Sequence, residues 1–247
     1  MARTDRGTGS LTRGRGVVHG SSPQHVLEQL REGIITGARK PGEQLKQGLI
    51  AESFGVSPGP VREALRHLES EGLVEHVPNR GVYVAETSTG ELMRLLLPVR
   101  LSVEAYAVPL AVERLRSERL GELEALVERM DEGVRDGNVA LINELDVRFH
   151  EITVEAAGSV HALQVWRNVQ PRIRAQIYRL APHHQDLREI PREHRQLIAA
   201  IRAGDEEGLR AAIEEHIIGS AAQLLRDQEE DGEDGDRQGE SDPSTGP

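Results

Sequence analysis

The chain has 247 residues, 37% of them hydrophobic, which is enough for buried cores and excludes a wholly disordered protein. With three Tyr, two Phe and one Trp, those cores must be built from Leu, Ile, Val and Ala, which favours packed helices over an aromatic-rich barrel; the lack of Cys removes disulfides, thiolate metal sites and a cysteine nucleophile together. The net charge of -11 is unevenly spread: residues 1–90 hold 11 Lys+Arg against 10 Asp+Glu, residues 91–226 hold 18 against 22, and residues 227–247 hold 1 against 9.

Residues 1–20, rich in Gly, Arg, Ser and Thr, have no hydrophobic period and are expected to form a disordered arm. No run of 18 apolar residues occurs, so a cytoplasmic protein with no membrane partner is expected. From Pro23, the spacing of Val26, Leu27, Leu30, Ile34 and Ile35 predicts a helix that Gly37 should stop. Lys40-Pro41-Gly42 is a turn, and a second short helix succeeds it with Leu49, Ile50 and Phe54 inward and Gly55 as its left-handed cap. A third begins at Ser57, whose hydroxyl is expected to cap the first-turn amides, tolerates Pro58 and Pro60 there, and runs to about Glu71.

Alternating segments on either side of Pro78-Asn79-Arg80-Gly81 predict a β-hairpin. This order is that of a winged helix-turn-helix with a small hairpin wing over 21–86, although an ordinary small helical core satisfies the same periodicity. Thr87-Ser88-Thr89 caps a long helical region. Residues 87–226 read as an all-helical antiparallel bundle of six or seven helices, with breaks near Arg116-Ser117, Gly137, Gly158, Pro182 and Gly204, and with Pro98 and Pro109 kinking or dividing the first helix. The acidic stretch 227–247 has no apolar residue and is expected to be a disordered tail.

The Pro41-Gly42 pair, Gly55-Val56-Ser57, the run Pro60-Val61-Arg62-Glu63-Ala64-Leu65, Glu71-Gly72-Leu73-Val74 and Arg80-Gly81 together resemble the GntR family of bacterial transcription regulators. That resemblance implies binding of double-stranded operator DNA by a homodimer, whose two recognition helices read a palindromic site. Arg62, one turn into the recognition helix, can reach a guanine edge or clamp a phosphate. Ser57 and the first-turn amides offer a phosphate site, Arg80 and Gly81 occupy the wing tip, and Lys46, Arg66 and His67 are expected to contact the backbone. Pro58 and Gly59 stand where members commonly have Arg and Thr, and Gly48 where some have Arg, so the operator is expected to differ from the family's usual one.

In the helical region, Asp146 and His150 lie four residues apart and share a helix face; His194 and His216 each follow the apolar face of their own helical pattern. A lone inward His is usually a core residue, but three with an Asp make a three-nitrogen, one-oxygen set suited to zinc, nickel or manganese. The region resembles the FCD ligand-binding domain of the FadR subfamily, in which an Asp-x-x-x-His pair and two later His hold a divalent metal, zinc foremost. All four positions match. Effectors of that subfamily are often small carboxylates, and Arg100 matches a recurring Arg of its first helix, placed either to pair with an effector carboxylate or with Glu104 at i,i+4. Ser159 stands where relatives often have Asn, and His161, His183 and His184 read as exposed.

The expected function is therefore a ligand-responsive regulator, more readily a repressor than an activator. The alternative is a metal-dependent hydrolase or lyase using the Asp/His set. It lacks a general base, since Glu151, Glu193 and Glu215 adjoin ligands in sequence but neighbours on a helix point about 100° apart.

Overall fold

The computed structural model describes residues 22–181, 184 and 186–228; the arm expected over 1–20, the acidic tail beyond 228 and His183 lie outside them. Helix α1 (Pro23–Ile35) starts where the Ser22 hydroxyl accepts from the His25 amide, and the chain leaves it through Gly37 at φ 75°. Helix α2 (Gln47–Phe54) ends at left-handed Gly55. Its inward side is Ile50 and Ala51, whereas Leu49, expected inward, is 62% exposed, because one residue's rotation carries it off the Ile50 face. Helix α3 (Pro58–Ser70) buries Val61, Ala64, Leu65 and Leu68 against α1.

The wing pairs β1 (Val74–Val77) with β2 (Gly81–Val84) antiparallel, Val74 opposite Val84 and Val77 opposite Gly81. Asn79 (φ 61°) and Gly81 (φ 110°) take the left-handed backbone that so tight a turn needs. Residues 43–45 add to the outer edge of β2 through Leu45 N–H to Val82 O and Val84 N–H to Glu43 O.

The Ser88 hydroxyl caps a short helix α4 (Thr89–Glu91), and from there the chain remains helical to Asp136. Near Pro98 and at Arg116-Ser117, where breaks were expected, there are two π-helical turns, Leu92–Leu96 and Leu115–Arg119, which flank α5 (Leu97–Arg114). In the first, Leu97 N–H reaches back to Leu92 O, and the widened turn accommodates Pro98 without ending the helix. Pro109 sits inside α5. Helix α6 (Leu120–Asp136) stops at Gly137 as expected. Beyond it come α7 (Val139–Ala156), α8 (Val160–Leu180), α9 (Glu189–Ala203) and α10 (Glu206–Glu214), started by the side chains of Asn138 on α7, Ser159 on α8 and Asp205 on α10. After α10 there is a π turn, Glu215–Gly219, and helix to Gln228. Asp227, expected to open the tail, is helical and buried.

Two main cores result, one inside α1–α3 and the wing, the other inside the bundle. Helix α8 is the wall between them: Ile173 belongs to the bundle core, and Ala175, two residues on, belongs to the winged-helix core.

Candidate metal centre and nucleic-acid interface

Four side chains from three helical segments converge in the bundle. Asp146 and His150 come from α7, one turn apart; His194 comes from the face of α9 that buries Leu197, Ile198 and Ile201; His216 comes from the π turn after α10. One ligand atom from each lies within 4.8 Å of every other. Asp146 Oδ1 is 3.6 Å from His150 Nε2, 3.3 Å from His194 Nε2 and 3.4 Å from His216 Nε2. The expected inward position of all three imidazoles is met, since each is buried.

The opposite ring nitrogens explain the orientation. His150 Nδ1 donates to Glu104 Oε2 at 2.7 Å, His216 Nδ1 to Glu193 Oε2 at 2.8 Å, and His194 Nδ1 to the Ile190 carbonyl at 2.8 Å. With each Nδ1 carrying its hydrogen, each Nε2 presents a lone pair to the centre, the arrangement that metal-ligating imidazoles require. His150 Nε2 and His216 Nε2 approach to 2.9 Å, which two lone pairs tolerate only with a proton or a cation between them. His194 Nε2 is buried with no hydrogen-bond partner among the described residues. An orphaned buried nitrogen beside a carboxylate and two more inward nitrogens fits a divalent cation of the zinc type.

Electrostatics obey the same pattern. Burial alone would raise the Asp146 carboxyl, but the imidazoles of His194 and His216, with His150 and Arg100 beyond, hold it well below the usual range. Burial pushes His150 down to about 4 despite Glu104. Burial also works against a charged His216, yet Asp146 and Glu193 raise it to about 9, so without a metal the proton between the two rings belongs to His216.

Glu104 is completely buried and accepts three bonds: Arg100 Nε and Trp166 Nε1 on Oε1, at 2.7 and 2.9 Å, and His150 on Oε2. Of the two roles expected for Arg100, the ion pair with Glu104 is thus present; its Nη2 is buried and has no partner among the described residues. A cavity of about 90 Å³ opens beside the centre. Arg100, Asn143, Asp146, Gln170, Arg174 and His216 are among its polar lining, which also includes Glu193 and Ser220, and Leu97, Ile142, Ile173 and Ile177 are among its apolar lining. His184, expected exposed, is half-buried and lines it too, whereas His161 is exposed as expected. Sequence reasoning missed Glu104 and Glu193 as supports of the centre. Glu104 carried a signal only as the i+4 partner of Arg100, and Glu193 was set aside because it turns away from His194.

In the winged part, Arg62, Arg66 and His67 stand exposed on the outward side of α3, Lys46 is exposed at the start of α2, and Arg80 is exposed beside half-buried Gly81 at the wing tip. Gln44 Nε2 donates to the Arg80 carbonyl at 2.7 Å, which braces the tip, and the Arg80 guanidinium lies 5.8 Å from the Tyr83 ring centroid. Ser57 occupies the N-cap position but its hydroxyl makes no capping bond. The reason is chemical: the third helical residue, the usual donor to such a cap, is Pro60, and with Pro58 also lacking N–H only Gly59 keeps an amide among the first three. The phosphate site expected at Ser57 is correspondingly reduced.

Sequence comparison matches residues 23–84 to the bacterial regulatory proteins of the gntR family and residues 95–219 to the FCD domain. The HTH-type transcriptional regulator McbR of Escherichia coli is 30% identical over 202 residues, spanning 80% of this chain and 90% of the relative. The solved structure of E. coli McbR/YncC superposes with a TM-score of 0.72 at 27% identity, covering 83% of this chain and 98% of that one. The uncharacterized HTH-type regulator YdhC of Bacillus subtilis is 28% identical over 192 residues (77% of this chain, 83% of the relative). The gluconate operon transcriptional repressor of Bacillus licheniformis is 26% identical over 204 residues (80% and 82%). Family and relatives are regulators rather than enzymes, which removes the hydrolase or lyase alternative. The chain belongs to the GntR family of bacterial transcriptional regulators, with an N-terminal DNA-binding winged helix and a C-terminal FCD domain.

Proposed function

We propose that the protein is a cytoplasmic repressor that binds a palindromic operator as a homodimer and senses a small carboxylate at a metal-containing FCD domain. The observation that carries the sensing half is the Asp146, His150, His194 and His216 cluster, whose Asp146 and His216 line the same cavity as Arg100. These four side chains would hold the metal, zinc foremost, with nickel and manganese compatible with the same donors. When bound, the metal supplies positive charge and open coordination positions for an acid. The Arg100 guanidinium, with Nη2 unpartnered among the described residues, offers the second cationic contact, and the apolar walls exclude water.

On the DNA side, Arg62 reads or clamps the operator, Arg66, Lys46 and Ser57 hold its backbone, and Arg80 with Gly81 lies along it at the wing tip. The homodimer is supported by an uncovered apolar face: Leu95, just before α5, and Tyr106 and Leu110 on it are exposed, as are Val160 and Val165 at the start of α8. A second copy packed on this face would cover Leu95, Tyr106, Leu110, Val160 and Val165. A stable dimer buries roughly 800 Å² per partner, within reach of two adjoining helices.

The test is metal content of tag-free protein, then thermal shift with small carboxylates before and after chelation, then operator binding with any acid that stabilises. Stoichiometric metal and an acid that acts only on the loaded form are expected; protein without metal, or loaded protein indifferent to every acid, overturns the sensing half. Tyr106→Arg is expected to give monomers by light scattering and weak operator binding, and a dimer unaffected by it overturns the assigned face.

A further inference from the structure

Arg174 on α8 touches both halves of the molecule. Its Nε donates to Asn143 Oδ1 on α7 at 2.8 Å, and its side chain lines the cavity beside the metal cluster. Its Nη1 lies 3.4 Å from Glu32 Oε2 on α1, outside the bundle altogether. Helix α1 packs along the recognition helix α3, and Arg31, next to Glu32, pairs with Glu71 at the end of α3 at 2.5 Å. Arg174 therefore joins Asn143, one turn from Asp146 on α7, to Glu32 on α1, which packs along α3.

The two ends of this link differ in strength. Asn143 is buried, so its bond to Arg174 is protected, whereas the Glu32 side chain is 48% exposed and its contact is long and screened. Such a contact exchanges easily. An anion entering the cavity meets a guanidinium whose other partner competes in water, and a carboxylate held in a drier place draws it inward.

We propose that Arg174 couples the cavity to the DNA-binding domain, an anion in the cavity competing with Glu32 for its guanidinium. The proposal rests on the reading that the cavity takes a small acid. It also states how occupancy is felt at α3: loss of the Glu32 contact frees α1 from α8 on one side and alters the position of α3 that operator binding needs.

The experiment is a double-mutant cycle on the zinc-loaded full-length protein, read as operator Kd by fluorescence anisotropy, with no acid present. Asn143→Leu removes the inner anchor and Glu32→Gln the outer partner. Asn143→Leu is expected to change Kd about threefold alone and less than about 1.5-fold in the Glu32→Gln background, as coupled residues behave. Arg174→Lys, which keeps the charge but cannot span both partners, is expected to match Glu32→Gln and to add nothing to it. Additive shifts overturn the coupling. Should Asn143→Leu not fold, the Arg174→Lys and Glu32→Gln pair gives the same decision. A wild type that acetate, malate and citrate all fail to stabilise overturns the anion's competition and the sensing reading together, and a non-additive cycle then upholds only the Arg174 contact between the two domains.

Discussion

Glu104 is the most exacting position in the bundle, and Glu104→Gln isolates why. The substitution keeps the volume of a side chain with no exposed surface, so packing is unchanged. Gln can keep one oxygen where Oε1 receives Arg100 and Trp166, but its amide nitrogen then faces His150 Nδ1, donor against donor. His150 must give up that bond or move its hydrogen to Nε2, and a protonated Nε2 cannot ligate. Loss of such an outer partner lowers metal affinity by about 10- to 100-fold. The second consequence is for Arg100, which is 5% exposed and loses its adjoining carboxylate. Breaking a buried pair from one side costs about 3–5 kcal/mol. For a chain of this size that lowers Tm by roughly 6–20 °C. Denaturant unfolding of metal-free wild type and variant reads the second effect, and competition for zinc with a chromophoric chelator reads the first. A variant with wild-type zinc affinity would refute the tautomer argument, whatever its stability.

Arg62→Ala is expected to weaken operator binding by roughly 1–3 kcal/mol and to lower the salt slope if the contact is to phosphate, whereas Arg66→Ala loses less; unchanged affinity and slope for Arg62→Ala remove it from the interface. Ser57→Ala is expected to leave thermal stability within about 0.5 kcal/mol of wild type, because no cap bond exists to lose, and a cap-sized loss of about 1 kcal/mol by denaturant titration contradicts this. For metal-free protein, His216 is raised to about 9 from an unfolded value near 6.5, so its contribution is complete below pH 6.5 and is lost as pH rises through 9; His150, lowered to about 4, contributes fully above pH 6.5 and loses it as pH falls through 4. Metal-free protein is thus expected to be most stable near pH 6.5. Zinc must displace the His216 proton, so its apparent affinity should rise by up to about tenfold per pH unit below 9, and a flat profile by calorimetry excludes that displacement.

The winged helix was legible because its signals are local. Gly37 after the first helix, left-handed Gly55 and the Pro-Asn-Arg-Gly turn act within a few residues of where they stand. Leu49 and Ser57 were misread where a local rule met a particular neighbour: an inward face defined by Ile50 and Ala51, and a third helical position without an N–H. The long helix Thr89–Asp136 was read as divided near Pro98 because the proline rule assumes an α-helical turn before it. A π turn relaxes that assumption, and no residue type marks one.

The metal cluster was half legible for a related reason. Asp146 and His150 sit at a spacing that sets a shared face, and His194 and His216 follow apolar stripes, so inward position was readable; which helices meet was carried by the family resemblance. The supporting carboxylates were beyond either. Glu151, Glu193 and Glu215 look alike in sequence, each next to a ligand and each turned about 100° from it. Packing separates them: Glu151 faces out to Arg148 and Arg167, Glu215 is exposed, and Glu193 meets the neighbouring segment that carries His216. Turning away from one's own ligand is what brings a side chain to the next helix. In a bundle whose ligands come from several helices, the residue beside a ligand is therefore a candidate to orient a different one, and only the packing of α9 against the turn after α10 decides that it does.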